Sequence, residues 1–220
     1  MAATLRAVPA RPALIDAGYF IQPEFLTPTR AAELREAAER LLAEPSTLHT
    51  PESVRCFELH KREPLFAELL ADEDLRTLVR EFLGPNALLS DLSVNQVRQH
   101  GKADIWHFDH PYNSMSTITA GGVLAIQCVL ALSPFTQASG ATQLIPGSNS
   151  RYRKPPPEVD DEPFDFLAEP GDLLVLPAAT WHRAGVNTEP EPRTAVLLNF
   201  TESWVKPMGL SPEPSCWQPL

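Results

Sequence analysis

The feature that most constrains the fold is a change in hydrophobic pattern near residue 86. From there to residue 201, short apolar segments alternate with turn-forming residues, and proline or glycine stands in nearly every gap. Short runs bounded in this way are typical of β-strands, and a series of them is typical of a β-sandwich or barrel. The segments are ALLSDLSVNQV, VLAIQCVLALS, ATQLIP, DLLVLP, TWHRAGV and TAVLLNF. The pattern predicts a mainly β fold with supporting α-helices.

Residues 14–85 carry a helical pattern instead. We expect them to form helices that support the β region, residues 86–201. A short strand within 17–26 leads to a helix that Thr27 can cap, with Pro28 in its first turn. A second helical region covers about 64–83 and stops at Gly84-Pro85.

A chain of 220 residues is long enough for one sizeable core and short for two. We therefore expect a single domain over residues 1–220, with a loose arm at 1–13 and a tail at 202–220. No repeat or linker divides it.

The net charge of −10 disfavours nucleic acid and anionic membrane surfaces as partners, because both require a basic patch. Cys56, Cys128 and Cys216 are odd in number and far apart, which suits a reducing compartment. The N-terminus lacks the apolar stretch of a signal peptide, and the longest apolar run, residues 123–132, is too short to span a bilayer. We expect a cytoplasmic monomer or homodimer that acts on a small molecule.

The segment WHFD, residues 106–109, carries the first candidate ligands. On a strand, His107 and Asp109 would point to the same face, because side chains alternate with a period of two. Together they are two-thirds of the 2-His-1-carboxylate triad that binds non-haem Fe(II) and leaves positions open. The spacing alone is unspecific, since a polar strand end would also explain it.

His182 is the best candidate for the missing ligand, because a buried-looking strand and a turn precede it. His49 and His60 come before the β region, and His100 stands beside a glycine in an expected turn. His110 has the wrong parity to share a face with the HxD pair. A lone histidine in this place would also fit a simple core or rim position.

Arg193 follows His182 by eleven residues and begins the last apolar segment. The chain turns at NTEPEP between them, so we expect Arg193 to open the strand next to that of His182. A guanidinium there requires an anion, and its planar fork suits a carboxylate such as the far one of 2-oxoglutarate. The alternative is an exposed arginine paired with Glu189 or Glu191.

Three stretches taken in order resemble the phytanoyl-CoA dioxygenase family of Fe(II)/2-oxoglutarate oxygenases. They are WHFD at 106–109, SGATQLIPGSN at 139–149 and GDLLVLPAATWHRAGVNTEPEPR at 171–193. The resemblance extends over residues 17–201, most of the chain. The HxD pair is unspecific by itself, whereas the ordered combination is specific.

The resemblance implies a double-stranded β-helix, a cupin-like jelly roll, with His107, Asp109 and His182 as iron ligands. It implies Arg193 as the anchor of 2-oxoglutarate, and Fe(II), 2-oxoglutarate and O₂ as cofactor and cosubstrates. The implied reaction oxidises a small organic molecule, in most members by hydroxylation, and releases succinate and CO₂. Desaturation, epimerisation and cyclisation are alternatives, whereas the presence of Asp109 disfavours halogenation.

The chain departs from the family pattern at three positions. Asn149 ends the IPGSN turn where histidine is frequent, Ser133 replaces a frequent acid, and Val129 replaces a frequent tryptophan. Gln127 shares the parity of Val129 and is our candidate for a further 2-oxoglutarate contact. It would equally fit an internal polar group bonded to the backbone.

Tyr112, Asn113 and Met115 directly follow the HxD segment and would border the mouth of a jelly roll. They are candidate substrate contacts, although a plain surface loop fits them as well. Asn95 and Gln96 are adjacent on an earlier strand, so one of them should face inward.

Two other functions remain open at this point. A jelly-roll protein that binds a metal or small molecule without catalysis would also use the histidines. A zinc hydrolase would do so too, but it would leave Arg193 without a role. Within the oxygenase hypothesis, scarce lysine disfavours an acyl-CoA substrate, and a biosynthetic intermediate of a natural product is preferred.

Overall fold

The computed structural model describes residues 11–101, 105–116, 118 and 122–208. Its centre is two antiparallel sheets with a cavity between them. The major sheet has seven strands in the order β1-β8-β5-β10-β4-β3-β2, and the minor sheet has the order β7-β6-β9. The predicted mainly β jelly roll is thereby confirmed.

Five helices and ten strands are described along the chain. The helices are α1 (Arg11–Ala17), α2 (Pro28–Leu42), α3 (Leu59–Arg62), α4 (Pro64–Ala71) and α5 (Glu73–Leu83). The strands are β1 (Phe20–Gln22), β2 (Leu48–His49), β3 (Ser53–Phe57), β4 (Leu88–Val97), β5 (Ala125–Ala131), β6 (Thr142–Leu144), β7 (Phe164–Phe166), β8 (Leu173–Pro177), β9 (His182–Ala184) and β10 (Arg193–Thr201). Among the described residues, no helix combines the length and apolar character needed to cross a bilayer.

The helices cover the outer face of the major sheet. Their apolar side chains share one core with outward-facing strand residues such as Val94, Cys128 and Val196. The inward neighbours of these residues line the cavity, for example Asn95, Val129 and Ala195. The alternation of strand side chains therefore separates an apolar outer face from a more polar inner face.

The helix boundaries follow local signals in the sequence. Thr27 accepts a hydrogen bond from the amide of Arg30 and caps α2, with Pro28 in its first turn, as predicted. The predicted helical region 64–83 is divided at Asp72, whose carboxylate accepts from the amides of Asp74 and Leu75. Asp72 thus starts α5 as a new helix.

Two expectations about the N-terminal part need correction. Residues 14–85 are more than helical support, because β1, β2 and β3 all join the major sheet. The short strand β3 was missed because it has only five residues and the charged Arg55 stands at its centre. Helix α1 begins at Arg11, inside the expected arm 1–13. Residues 1–10 and 209–220 lie outside the described part.

The IPGSN turn is structural, as expected. Gly147 adopts a positive φ of 68°, and its amide donates to the carbonyl of Ala17. The side-chain amide of Asn149 donates to the carbonyl of Ile15 at 2.7 Å. These bonds fasten α1 to the turn, which gives Asn149 a structural role.

The loop before α2 passes so close to β8 that Gly171 admits no side chain. A Cβ on Gly171, which has φ +105°, would stand 2.5 Å from the carbonyl oxygen of Leu26. Gly84 has a similar φ of +81° but no atom within 4 Å of such a Cβ. Alanine substitutions at these two glycines therefore distinguish the cost of backbone strain from the cost of steric overlap.

We expect Gly171→Ala to lower the free energy of unfolding more than Gly84→Ala does. Gly84→Ala should cost about 1–3 kcal/mol, since it strains only the backbone. Gly171→Ala adds the clash with the carbonyl of Leu26. Urea unfolding of the two variants measures the difference, and equal losses would refute the close approach.

Candidate metal and cosubstrate site

His107 and His182 lie opposite each other at the edge of the minor sheet. They form an isolated antiparallel bridge in which each amide donates to the other's carbonyl, at 3.1 and 2.9 Å. Directly opposed residues project to the same face, so the two imidazoles converge. The HxD segment was expected on a strand, but only this bridge and the bond from the amide of Asp109 to Ala178 hold it.

The three predicted ligands meet at one point. Oδ2 of Asp109 lies 3.5 Å from Nε2 of His182, and Oδ1 lies 4.0 Å from Nε2 of His107. The candidate ligand atoms are all within 4.8 Å of one another. In the described part of the chain, this is the one group of three or more such side chains that can hold a metal.

Backbone carbonyls hold both imidazoles in the tautomer that a metal requires. Nδ1 of His182 lies 2.9 Å from the carbonyl oxygen of Thr180, and Nδ1 of His107 lies 3.3 Å from that of Ile105. Because a carbonyl only accepts, each Nδ1 carries the proton and each Nε2 keeps its lone pair. Burial, followed by repulsion from His182, lowers the pKa of His107 to about 4, so the ring is neutral at pH 7.

This ligand set fits Fe(II). Two imidazoles and one carboxylate on one side of a metal leave the remaining positions open for other ligands. Asp109 keeps 23% of its side chain exposed and His107 keeps 45%, so the triad opens to the cavity. A closed structural zinc site would surround the metal with four protein ligands instead.

Arg193, the first residue of β10, is 4% exposed. Its Nη1 donates to Oγ1 of Thr142 at 3.1 Å, and its guanidinium carbon lies 4.4 Å from the ring centre of Phe135. Its Nε is buried without a partner, and it forms no ion pair with any residue that the structure describes. Burial lowers the pKa of Arg193 to about 10.

A buried guanidinium without a counter-ion is costly, and a carboxylate from a ligand would compensate it. The alternative of an exposed Arg193 paired with Glu189 or Glu191 is therefore wrong. The residue also does not open the strand next to that of His182. It lies in the major sheet, where β10 pairs with β4 and β5, whereas β9 belongs to the minor sheet. The turn between them crosses from one sheet to the other.

One cavity of about 360 Å³ contains the triad and Arg193. Strands of both sheets line it, and its volume suits a small ligand. Asn95 is the inward residue of the adjacent pair that the sequence left open, since Gln96 donates to Thr194 and does not line the cavity. Asn113, a candidate substrate contact, also lines the cavity.

Gln127 reaches the cavity wall and is 6% exposed. Its Oε1 accepts from Nδ2 of Asn199 at 3.1 Å, and its Nε2 donates weakly to the carbonyl of Cys128. Both interpretations of Gln127 from the sequence are thus compatible with its position, and its contact with 2-oxoglutarate stays a prediction. Asn199 was missed, although its parity with Arg193 along β10 places it on the same inner face.

Tyr112 is not available as a substrate contact. It is 1% exposed, its hydroxyl donates to the carbonyl of Gly122 at 2.8 Å, and it accepts from the amide of Leu124. The 3₁₀ turn Tyr112–Ser114 directs this ring into an apolar cluster, against which Met115 also packs. Of the three candidates after the HxD segment, only Asn113 lines the cavity.

The family comparison agrees with this geometry. A family model described as phytanoyl-CoA dioxygenase matches residues 15–195, most of the chain. The chain belongs to the phytanoyl-CoA dioxygenase family. The resemblance predicted from the sequence is confirmed, and the iron- and 2-oxoglutarate-dependent dioxygenase class agrees with the triad and the buried arginine.

Individual relatives of this phytanoyl-CoA dioxygenase family member are distant. Dioxygenase af480 of Aspergillus fumigatus is 27% identical over 79% of this chain and 56% of its own length. The solved structure of EctD from S. alaskensis with 2-oxoglutarate and 5-hydroxyectoine has a TM-score of 0.75 at 23% identity, over 93% of this chain and 80% of that one. The 2-oxoglutarate-dependent carbocyclase SnoK from nogalamycin biosynthesis has a TM-score of 0.76 at 15% identity, over 96% and 90%.

The structural similarities support the jelly-roll fold. The chain spans between 56% and 66% of the length of the first three curated relatives that it matches.

His182→Ala should abolish stoichiometric Fe(II) binding, because it removes one of three converging ligands. His110→Ala is the matched control, since His110 follows the HxD pair but contacts the carbonyl of Lys206 instead. Anaerobic equilibrium dialysis with metal analysis measures both variants. Retained metal in the first, or lost metal in the second, would contradict the ligand assignment.

Proposed function

We propose that the protein is an Fe(II)/2-oxoglutarate-dependent oxygenase that oxidises a small organic molecule. The observation that carries the proposal is the buried guanidinium of Arg193, which has no carboxylate partner among the described residues and lies in the same cavity as the triad. A metal site alone would suit many functions. A metal site beside a buried cation suits a ligand that chelates at one end and carries a carboxylate at the other.

Different residues of the chain would bind the metal and the cosubstrate. His107, Asp109 and His182 would hold the iron, and the carbonyls of Thr180 and Ile105 keep the histidines oriented toward it. When bound, iron and 2-oxoglutarate supply the chemistry that couples O₂, through loss of CO₂ and formation of succinate, to oxidation of a substrate.

Arg193 would fix the far carboxylate of 2-oxoglutarate and thereby orient the keto-acid end toward the metal. Thr142 and the ring of Phe135 hold the guanidinium and exclude water from it. A charge-assisted bond in such a dry environment is stronger than one at the surface.

Hydroxylation is the outcome that we propose first, on an intermediate of natural-product biosynthesis. One curated relative is named as an ectoine dioxygenase, and one structural neighbour is named as a carbocyclase, so the outcome varies among similar folds. Asp109 occupies the carboxylate position, which disfavours halogenation.

The alternative is a jelly-roll protein that binds a metal or a small molecule without catalysis. It would share the triad, but it gives no reason to bury Arg193 without a counter-ion. The cytoplasmic location and the monomeric or homodimeric state stay predictions. Cys56 and Cys128, which are buried and unpaired, are compatible with a reducing compartment.

Purified protein with Fe(II) should convert 2-oxoglutarate to succinate, even slowly and without substrate. Arg193→Met should raise the 2-oxoglutarate concentration needed for half-maximal turnover by about 10- to 100-fold, the range of a lost charge-assisted bond. Arg193→Lys should recover part of the lost 2-oxoglutarate affinity, because lysine restores the positive charge but not the two parallel N–H donors of the guanidinium.

Arg151→Met is the control, because Arg151 also contacts an aromatic ring and a carboxylate, but outside the cavity. Mass spectrometry of succinate measures turnover in the wild type and in each variant. Absence of succinate from protein that has bound both Fe(II) and 2-oxoglutarate would favour the alternative without catalysis.

A further inference from the structure

A second polar group lies on the inner face of the major sheet, and we call it the inner polar cluster: Arg55, Asp91, Ser93 and Asn95. Nη2 of Arg55, on β3, donates to Oδ2 of Asp91 at 2.9 Å. Nε and Nη2 of Arg55 also donate to Oγ of Ser93 on β4, which in turn donates to Asp91 at 2.8 Å. The guanidinium is held in place by these bonds.

The inner polar cluster retains unused hydrogen-bonding capacity. Among the described residues, Nη1 of Arg55, Oδ1 of Asp91 and the side-chain amide of Asn95 have no hydrogen-bond partner. Arg55 keeps 32% of its side chain exposed and Asp91 keeps 14%. Arg55, Asp91 and Asn95 line the same cavity as the triad, so these free groups face whatever fills it.

The cluster is separate from the carboxylate anchor. Asp91 pairs with Asn199 on β10, whereas Arg193 pairs with Val97 at the other end of that strand. Six residue steps along extended strand from Arg193 to Asn199 correspond to about 20 Å, whereas Asn95 pairs with Ala195, two steps or about 7 Å from Arg193. The side chain of Arg55 bonds to Asp91 and Ser93, and that of Arg193 contacts Thr142 and Phe135. A 2-oxoglutarate held by Arg193 would therefore leave the Arg55–Asp91 pair to another ligand.

The charges in the cavity indicate the character of that ligand. Arg55 and Asp91 neutralise each other at 2.9 Å. In the proposed function, Arg193 is neutralised by the far carboxylate, and Fe(II) by Asp109 together with the near carboxylate. The further cation of the lining, Arg183, lies on β9 of the opposite sheet, where its Nε donates to Gln143 and its guanidinium carbon lies 4.4 Å from the ring centre of Trp106. At the inner polar cluster itself no charge remains to balance, so an ionic group placed there would have to be desolvated without compensation.

We propose that the inner polar cluster binds an uncharged group of the substrate that accepts and donates hydrogen bonds side by side. A carboxamide or two neighbouring hydroxyls would accept from Nη1 of Arg55 and donate to Oδ1 of Asp91. The apolar remainder of the substrate would contact Val129, Leu197 and Met208, which line the same cavity. This inference rests on the proposed function and names the substrate class of its site.

The test compares probes that differ only in this group. Benzamide and benzoate, and cyclohexanecarboxamide and cyclohexanecarboxylate, are titrated calorimetrically into protein loaded with Ni(II) and 2-oxoglutarate. We expect each amide to bind at least about tenfold more tightly than its acid, the factor that one charge-dependent hydrogen bond supplies. Preference for the acids, or no binding of any probe, would overturn the proposal.

Asp91→Asn should reverse this preference, because it is isosteric and leaves Arg55 as an unpaired cation. Asp161→Asn is the matched control, since it also breaks an arginine–aspartate pair but outside the cavity, at Arg151. Asp161→Asn should keep the preference of the wild type for the amides over the acids. An unchanged order in Asp91→Asn would mean that the pair only joins β3 to β4, and it would overturn the proposal.

Arg55→Met keeps the test decisive if Asp91→Asn does not fold. It removes the donor and leaves an unpaired carboxylate, so amide binding should weaken about tenfold while acid binding does not improve. A gain in acid binding would contradict the assignment. Succinate formation is measured separately: its absence would refute the proposed function, whereas the probe titrations involve no turnover and test the cluster alone.

Discussion

The burial of one positive charge constrains the whole site. Arg193 is 4% exposed and has a hydroxyl and an aromatic ring as neighbours, but no carboxylate among the described residues. Such a group is costly to bury, and a negative charge from a bound ligand would offset that cost. The cavity that holds the guanidinium also holds His107, Asp109 and His182, so in the proposed function one ligand would contact both the metal and Arg193.

The jelly roll makes this arrangement possible through the simple alternation of strand side chains. Along β10, Val196 and Leu198 enter the core beneath the helices, while Ala195 and Leu197 line the cavity. The minor sheet supplies His182 from the opposite side. The two sheets thus position ligands that are distant in sequence, and the helices stabilise the face that carries no chemistry.

The sequence pointed to those site residues whose type suits the chemistry and whose position in a strand predicts the direction of the side chain. The HxD pair, His182 and Arg193 were predicted from residue type and spacing, and the structure brings all four to one cavity. The fold and family were predicted in the same way. The placement of Arg193 next to the strand of His182 was wrong, because no local signal shows that a turn crosses between sheets. Arg55 was missed with its strand β3, because a charged residue at the centre of five residues gives no clear strand pattern.

An anaerobic crystal structure with Fe(II) and 2-oxoglutarate tests the central claim most directly. The account predicts a metal bonded to Nε2 of both histidines and to the carboxylate of Asp109. It also predicts the far carboxylate of 2-oxoglutarate within hydrogen-bonding distance of the Arg193 guanidinium. A metal bound elsewhere, or a 2-oxoglutarate that leaves Arg193 without a carboxylate partner, would contradict it.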